Sequence, residues 1–248
     1  MGERRKVLEL FEMQKELSEK RVAEGIEKNR KGDAYIIVVD ENGKPISNAK
    51  VKVVQKNHEF RFGANLFLLD ELESEEKNET YKKIFADTFN MATLPFYWNS
   101  TEPQKGKLRY EKGSERLYRR PAIDLCMEYC REHGIEPREH GLAYENPFPT
   151  WIYGAETPVV KKELERRYQE ISERYADEIR TIEVTNEMAW TKGRTPFYDN
   201  PEYVEYCFKL AEKYFPNNKL VINSLNASGV FKEVKSKRKV TRSYRKSI

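Results

Sequence analysis

Short runs rich in β-branched and aromatic residues alternate along this chain with longer segments whose apolar residues recur every three or four positions. The runs read as strands over Phe60–Phe67, Met91–Tyr97, Glu136–Tyr144, Thr181–Thr185 and Lys219–Ser224. The helical spacing predicts helices over Glu71–Phe89, Arg119–His133, Pro158–Tyr175 and Pro201–Tyr214. Strand and helix in strict alternation argue for a parallel sheet covered by helices. Ahead of this cadence, Glu3–Lys28 has helix formers with apolar residues at Val7, Leu10, Phe11 and Leu17, a moderately amphipathic helix. Ala34–Val39 and Ala49–Gln55 read as strands. The turn Asp40-Glu41-Asn42-Gly43 between them predicts a β-hairpin, because Asn-Gly suits a tight turn.

Five strands fall short of the eight that close a barrel. The predicted fold is therefore α/β: an incomplete (β/α)8 TIM barrel of about five strands, preceded by an N-terminal helix and β-hairpin. Three parts are expected: an extension over 1–56, a partial barrel over 57–228 and a basic tail over 229–248.

The 248 residues suffice for one large domain or two small ones. Charged residues make up 35% and the mean hydropathy is −0.85. No apolar run approaches membrane-spanning length, and Glu and Lys interrupt Val7–Leu17, where a signal peptide would need an apolar core. The expected location is cytoplasmic, or outside the cell if a leader has been removed. From Lys232 to Ile248 there are eight Lys or Arg and one Glu, a net of +7 in a chain of +4, so the remaining residues carry −3. A basic tail can seek an anionic partner, but no aromatic platform or nucleic-acid motif accompanies this one, so no nucleic acid or membrane partner is expected. A disordered or non-native tail is the simpler reading. Cys126 and Cys130 stand one helical turn apart and read as small core residues rather than a metal or redox pair. No His or Cys cluster has zinc spacing, and no cofactor is expected.

The chemistry is concentrated in Ile182-Glu183-Val184-Thr185-Asn186-Glu187. A buried strand ends here on an Asn-Glu pair, and the C-terminal ends of barrel strands are where such folds keep their catalytic groups. An Asn there can bind a substrate hydroxyl while the Glu moves a proton. A solvated Glu beginning a loop is the plainer alternative.

Several segments taken in order resemble glycoside hydrolase family 10, the endo-β-1,4-xylanase family. They are Asn48-Ala49-Lys50-Val51 through His58-Glu59-Phe60-Arg61-Phe62-Gly63; Phe89-Asn90-Met91-Ala92-Thr93 with Trp98, Thr101-Glu102-Pro103 and Gly106; Arg138-Glu139-His140-Gly141-Leu142 with Pro149 and Trp151; and Ile182 to Glu187. The resemblance spans roughly residues 34 to 224. It implies a retaining glycosidase acting on internal bonds of xylan, with two carboxylates flanking the scissile bond. Glu187 matches the general acid/base and Asn186 the neighbour that grips the sugar 2-hydroxyl. His140 matches an active-site residue of the third strand, and a buried structural His fits the position equally well. Trp98 and Trp151 suit sugar-stacking platforms or core aromatics alike.

The chain also departs from the family pattern. Where members usually carry Glu-Asn and a Lys before the Trp of the second strand, this chain has Leu94-Pro95-Phe96-Tyr97. Glu145 stands where a second active-site His is usual. Pointed into the mouth, it would raise the pKa of Glu187 by like-charge repulsion. The family's nucleophile sits on a seventh strand, which the pattern here does not supply. Glu183 shares a strand with Glu187 but lies about 13 Å away at about 3.3 Å per residue, too far to replace it. The chain alone is therefore expected to be weakly active or inactive. A carbohydrate-binding pseudoenzyme, and a β/α protein that finds an anionic partner through its tail, are the alternatives.

Overall fold

The computed structural model describes residues 8–9, 11–56, 58–188 and 192–223. The expected tail over 229–248, Ser224, and the first residues of the N-terminal helix lie outside them. The chain divides into two units, 1–57 and 58–248.

In the first unit, helix α1 (Lys15–Asn29) forms with no buried residue. The β-hairpin does not form as expected. Asp40 closes the predicted turn, its side chain accepting from the backbone N–H of Asn42 at 2.9 Å and of Lys44 at 2.8 Å. Gly43 takes φ +77° there, a conformation that costs glycine little. Pairing then stops at one isolated antiparallel bridge, Val39 to Pro45. Pro45 has no N–H to extend a ladder, and Asn48 turns the chain left-handed at φ 62°. Ala49–Gln55, expected as the second strand of the hairpin, is not assigned as a strand.

The second unit carries the expected alternation: β1 (Gly63–Asn65), α2 (Glu75–Thr88), β2 (Met91–Pro95), α3 (Ile123–His133), β3 (Glu136–His140), α4 (Thr157–Tyr175), β4 (Thr181–Asn186), α5 (Tyr203–Tyr214) and β5 (Lys219–Asn223). Among the described residues the five strands form one parallel sheet in chain order. This is the partial barrel that the cadence predicts. β1, β2 and β3 are shorter than their predicted runs, β1 most of all, whereas β4 extends one residue further, to Asn186.

Local signals set the helix ends. Ser74 caps α2, its hydroxyl accepting from the Lys77 N–H at 3.3 Å, and Glu75 and Glu76 lie in the first turn, where the helix dipole favours anions. Gly134 ends α3 with φ 63°, and its N–H returns to the carbonyls of Cys130 and Arg131. Pro158 sits in the first turn of α4.

Ala92 and Leu94 of β2 and Ile182 and Val184 of β4 pack under the helices. They meet Cys126 and Met127 of α3, Leu164, Tyr168 and Ile171 of α4, and Cys207 of α5. Fully burying one such Leu or Ile side chain is worth about 1.5–3 kcal/mol. The three cysteines are free and buried, as core residues should be. The alternate residues of these strands line the other face, which carries the candidate site.

Candidate active site

Parallel strands bring their carboxyl ends to one rim, and this rim gathers the polar residues. His140 ends β3, Asn186 ends β4, Asn223 ends β5, and Tyr97 and Glu187 each lie just past a strand. His140 is the centre of the cluster. Its Nδ1 lies 2.7 Å from Glu183 Oε1 and its Nε2 2.9 Å from the Tyr97 hydroxyl. An ionised carboxylate only accepts, so in the neutral ring Nδ1 carries the proton and Nε2 accepts from Tyr97. Arg138, two residues back on β3, donates to the other oxygen of Glu183. Glu183 is completely buried, so both of its oxygens are committed to cationic or N–H partners.

Glu187 sits on the same rim. The Tyr144 hydroxyl donates to its Oε2 at 2.6 Å, which leaves proton transfer to Oε1. Its backbone N–H donates to the Asn223 carbonyl at 2.8 Å. Glu187 also has φ 53°, a left-handed conformation that costs an L-residue about 1–2 kcal/mol. Strain of this kind persists only where the surroundings over-determine it, and it concentrates at functional positions. Asn186, 2% exposed, accepts from the Asn223 side-chain amide at 2.7 Å, so its own amide N–H groups are what it can offer a hydroxyl.

The aromatic rings bind the two carboxylates into one site. Tyr97 and Tyr144 stand 6.1 Å apart, and His140 and Tyr144 6.4 Å. Burial pushes the Tyr97 phenol up to about 12; Arg120 pulls the other way, and the charges of Tyr144, Glu183 and Glu187 add to the rise. Glu183 and Glu187 therefore act on the same hydroxyl. A bulge between Glu183 and Thr185 interrupts β4, so simple alternation of faces does not hold residue by residue from Glu183 to Glu187. Gly141 lets Tyr97 approach: at φ 102°, a Cβ there would lie 2.9 Å from the Tyr97 ring.

Thus Glu187, Asn186 and His140 do lie together at the ends of neighbouring strands. Of the other three candidates, the expectation for Glu145 is corrected, and for Trp98 and Trp151 the choice stood open between sugar platform and core aromatic. Trp98 is fully buried, its indole N–H donates to Glu102 Oε2 at 2.8 Å, and Phe148 and Trp151 pack edge-on against it. It offers no face to a sugar. Trp151 is partly buried, donates to the Glu102 carbonyl at 3.1 Å, and has Lys105 over its ring. Both serve a knot closed by Arg166, which grips Glu102 with two bonds of 2.8 Å. Glu145 is completely buried and does not hang in the mouth. It accepts from the backbone N–H groups of Arg194 and Thr195 and from the Thr195 hydroxyl, and so anchors the loop after β4. Burial raises its own pKa, and the Thr195 and Arg194 hydrogen bonds oppose the rise.

The sequence reading assigned no site role to Tyr97, Tyr144, Arg138 or Asn223, and weighed Glu183 only as a replacement nucleophile. A usable signal existed for Tyr97 and Asn223, which stand at the carboxyl ends of β2 and β5 as His140 and Asn186 do on β3 and β4. Among the described residues, no group of three His, Cys, Asp or Glu side chains is arranged to hold a metal.

Comparison with known proteins gives the family. The chain is 27% identical over 208 residues to the anti-sigma-I factor RsgI6 of Acetivibrio thermocellus, a match covering 81% of this chain and 25% of that protein. It is 28% identical over 138 residues to endo-1,4-beta-xylanase B of Cellvibrio japonicus, covering 52% of this chain and 22% of the xylanase. Xylanase 10B from Thermotoga petrophila RKU-1, solved in complex with xylobiose, shares the fold with a TM-score of 0.55 at 20% identity, over 73% of this chain and 55% of that one. The chain thus spans about a quarter of the curated relatives' length and about half that of the solved xylanase. The family model described as glycosyl hydrolase family 10 matches residues 53–247, a span that takes in most of the basic segment. With that match over most of its length, the chain belongs to glycosyl hydrolase family 10.

Proposed function

We propose that the rim around Glu187 is the acid/base half of a site that binds and cleaves internal β-1,4 bonds of xylan with retention of configuration. The observation that carries this reading is Glu187 itself, a strained carboxyl residue at the end of β4, fixed through Oε2 by Tyr144 and set beside Asn186. Glu187 would protonate the leaving oxygen and later take a proton from the attacking water. Asn186 would hold the sugar 2-hydroxyl. His140, with both nitrogens engaged, would orient Tyr97 rather than grip sugar directly.

A retaining mechanism needs a second carboxylate about 5–5.5 Å from the first, acting as nucleophile. Glu183 is a poor candidate, since Arg138 and His140 occupy both of its oxygens. That commitment favours a second reading for the chain on its own: xylan binding with little turnover.

The test is calorimetric titration with xylo-oligosaccharides, alongside hydrolysis of xylan and an aryl xylobioside. Glu187→Gln serves as control. We expect measurable binding and slow turnover that Glu187→Gln abolishes; acid catalysis alone is worth only about 10²–10⁴. Robust turnover lost in Glu187→Gln would locate a nucleophile beyond the described residues. Turnover indifferent to the substitution, or no binding of any xylo-oligosaccharide, would overturn the reading.

A further inference from the structure

Beside the Glu187 cluster sits a cation that the network does not use. The Arg120 guanidinium lies 4.2 Å from the centroid of the Tyr97 ring and 5.4 Å from that of Phe67. Its Nη1 donates at 2.7 Å to the carbonyl of Arg119. A guanidinium has five N–H donors in a planar fork, so most of this one's hydrogen-bonding capacity is not accounted for by that single bond. Arg61, Arg116, Arg138, Arg166 and Arg174 of the same unit each hold a carboxylate. Among the described residues no carboxylate forms an ion pair with Arg120. The side chain is only partly exposed, and burial pulls its pKa down without a carboxylate to offset it. Arg119 just before it takes φ 59°, so the loop that delivers Arg120 is bent left-handed at a residue poorly suited to it.

The position matters as much as the missing partner. The guanidinium rests on the ring of the buried Tyr97, which stands 6.1 Å from Tyr144, whose hydroxyl holds Glu187, so a sugar chain that reaches Glu187 comes near the guanidinium. Neutral hydroxyls do not call for a fork that suits a carboxylate through two parallel hydrogen bonds. We propose that Arg120 receives a carboxylate carried on the sugar chain, so that the site prefers β-1,4-linked xylose chains bearing uronic acid side groups. This deepens the xylan reading and rests on it.

The experiment is calorimetry on the full chain with three ligands: a neutral xylo-oligosaccharide, the same backbone with one uronic acid branch, and that branched form with its carboxyl reduced to the alcohol. A charge-assisted hydrogen bond is worth about a tenfold gain in affinity or more, so the acidic ligand should bind about 10-fold to 100-fold tighter than the other two. The advantage should shrink in 0.5 M salt, where exposed charges are screened within about 4–5 Å. Arg120→Gln should erase it, and Arg120→Lys should retain only part, since an ammonium lacks the fork. The reduced ligand keeps the test valid on the unaltered protein if a variant fails to fold. Equal binding of acidic and reduced ligands, or an acidic advantage that survives in folded Arg120→Gln, overturns the proposal while leaving the xylan reading in place. Binding of none of the three overturns both.

Discussion

Glu139→Gln removes a single titration from beneath the helix layer. Glu139 is completely buried; its Oε2 accepts the Glu183 N–H at 2.8 Å, while Oε1 is buried with no partner among the described residues. Burial pushes its carboxyl well above the usual range, and the charge of Glu183 on β4 adds to this. Arg167 on α4, the Glu183 N–H and Arg138 on its own strand oppose the shift, and Tyr168 of α4 lies within reach of its charge. In the unfolded chain the group titrates near 4.3. Below that pH both states hold the proton and the contribution to stability is fully present. Above it the unfolded chain loses the proton and the folded protein keeps it, so stability falls by about 1.4 kcal/mol per pH unit until the folded group also ionises. Gln cannot ionise and lacks that slope. Its buried amide N–H adds a cost, but one that does not change with pH. The stability of Glu139→Gln relative to the parent should therefore rise with pH by about 1.4 kcal/mol per unit. For a domain of this size that is about 3–5 °C of melting temperature per pH unit. Thermal melts of both proteins at half-unit steps from pH 5 to 8 measure the difference. Parallel curves would refute the argument, whatever their vertical offset.

Three further outcomes follow from the packing. Arg167→Met should cost about 3–5 kcal/mol in urea unfolding, because the buried guanidinium serves the carbonyls of Phe96, Gly141 and Leu142 and the Thr101 hydroxyl, and Met takes that buried donor from all four; a loss below about 1 kcal/mol would contradict this. Gly141→Ala should destabilise by about 2 kcal/mol or more and weaken oligosaccharide binding, since a Cβ at φ 102° would press on Tyr97; unchanged melting and binding would show that the ring moves freely aside. Cys126, Cys130 and Cys207 are buried, with Cys130 and Cys207 pushed up to about 12, so a thiol reagent at pH 8 should label none of them until denaturant is added; fast labelling of the native protein would mean the core opens locally.

The hydrophobic pattern was enough to show the alternation of strand and helix, and with it the rim where parallel strands end. It also marked Glu187 and Asn186, because that strand end can be located from local sequence; His140 came only through the family resemblance, since the apolar run there continues to Tyr144, past the strand's end at His140. What it missed depends on residues far apart in the chain. That Trp98 and Trp151 meet edge-on and turn their N–H groups to Glu102, which Arg166 of α4 grips, is a long-range pairing that no local pattern reports. Glu145 likewise looked like a group for the mouth until Arg194 and Thr195 returned to claim it. The hairpin failed for a local reason that was visible: the proline facing Val39 halts the ladder that Asn42-Gly43 would otherwise start.

Two links join the end of β5 to the acid residue: the Asn223 carbonyl holds the N–H of Glu187, and the Asn223 side chain holds Asn186. β5 is thus a splint for Glu187. A splint transmits whatever loosens it. Fraying β5 by a single residue releases both links together, and a left-handed Glu187 so freed gains by relaxing toward an ordinary backbone conformation. The acid group should therefore lose its setting before the core loosens. Hydrogen exchange at the Glu187 amide should run ahead of exchange in β2 and β3, and equal protection across all three would show that the splint and the core fail as one.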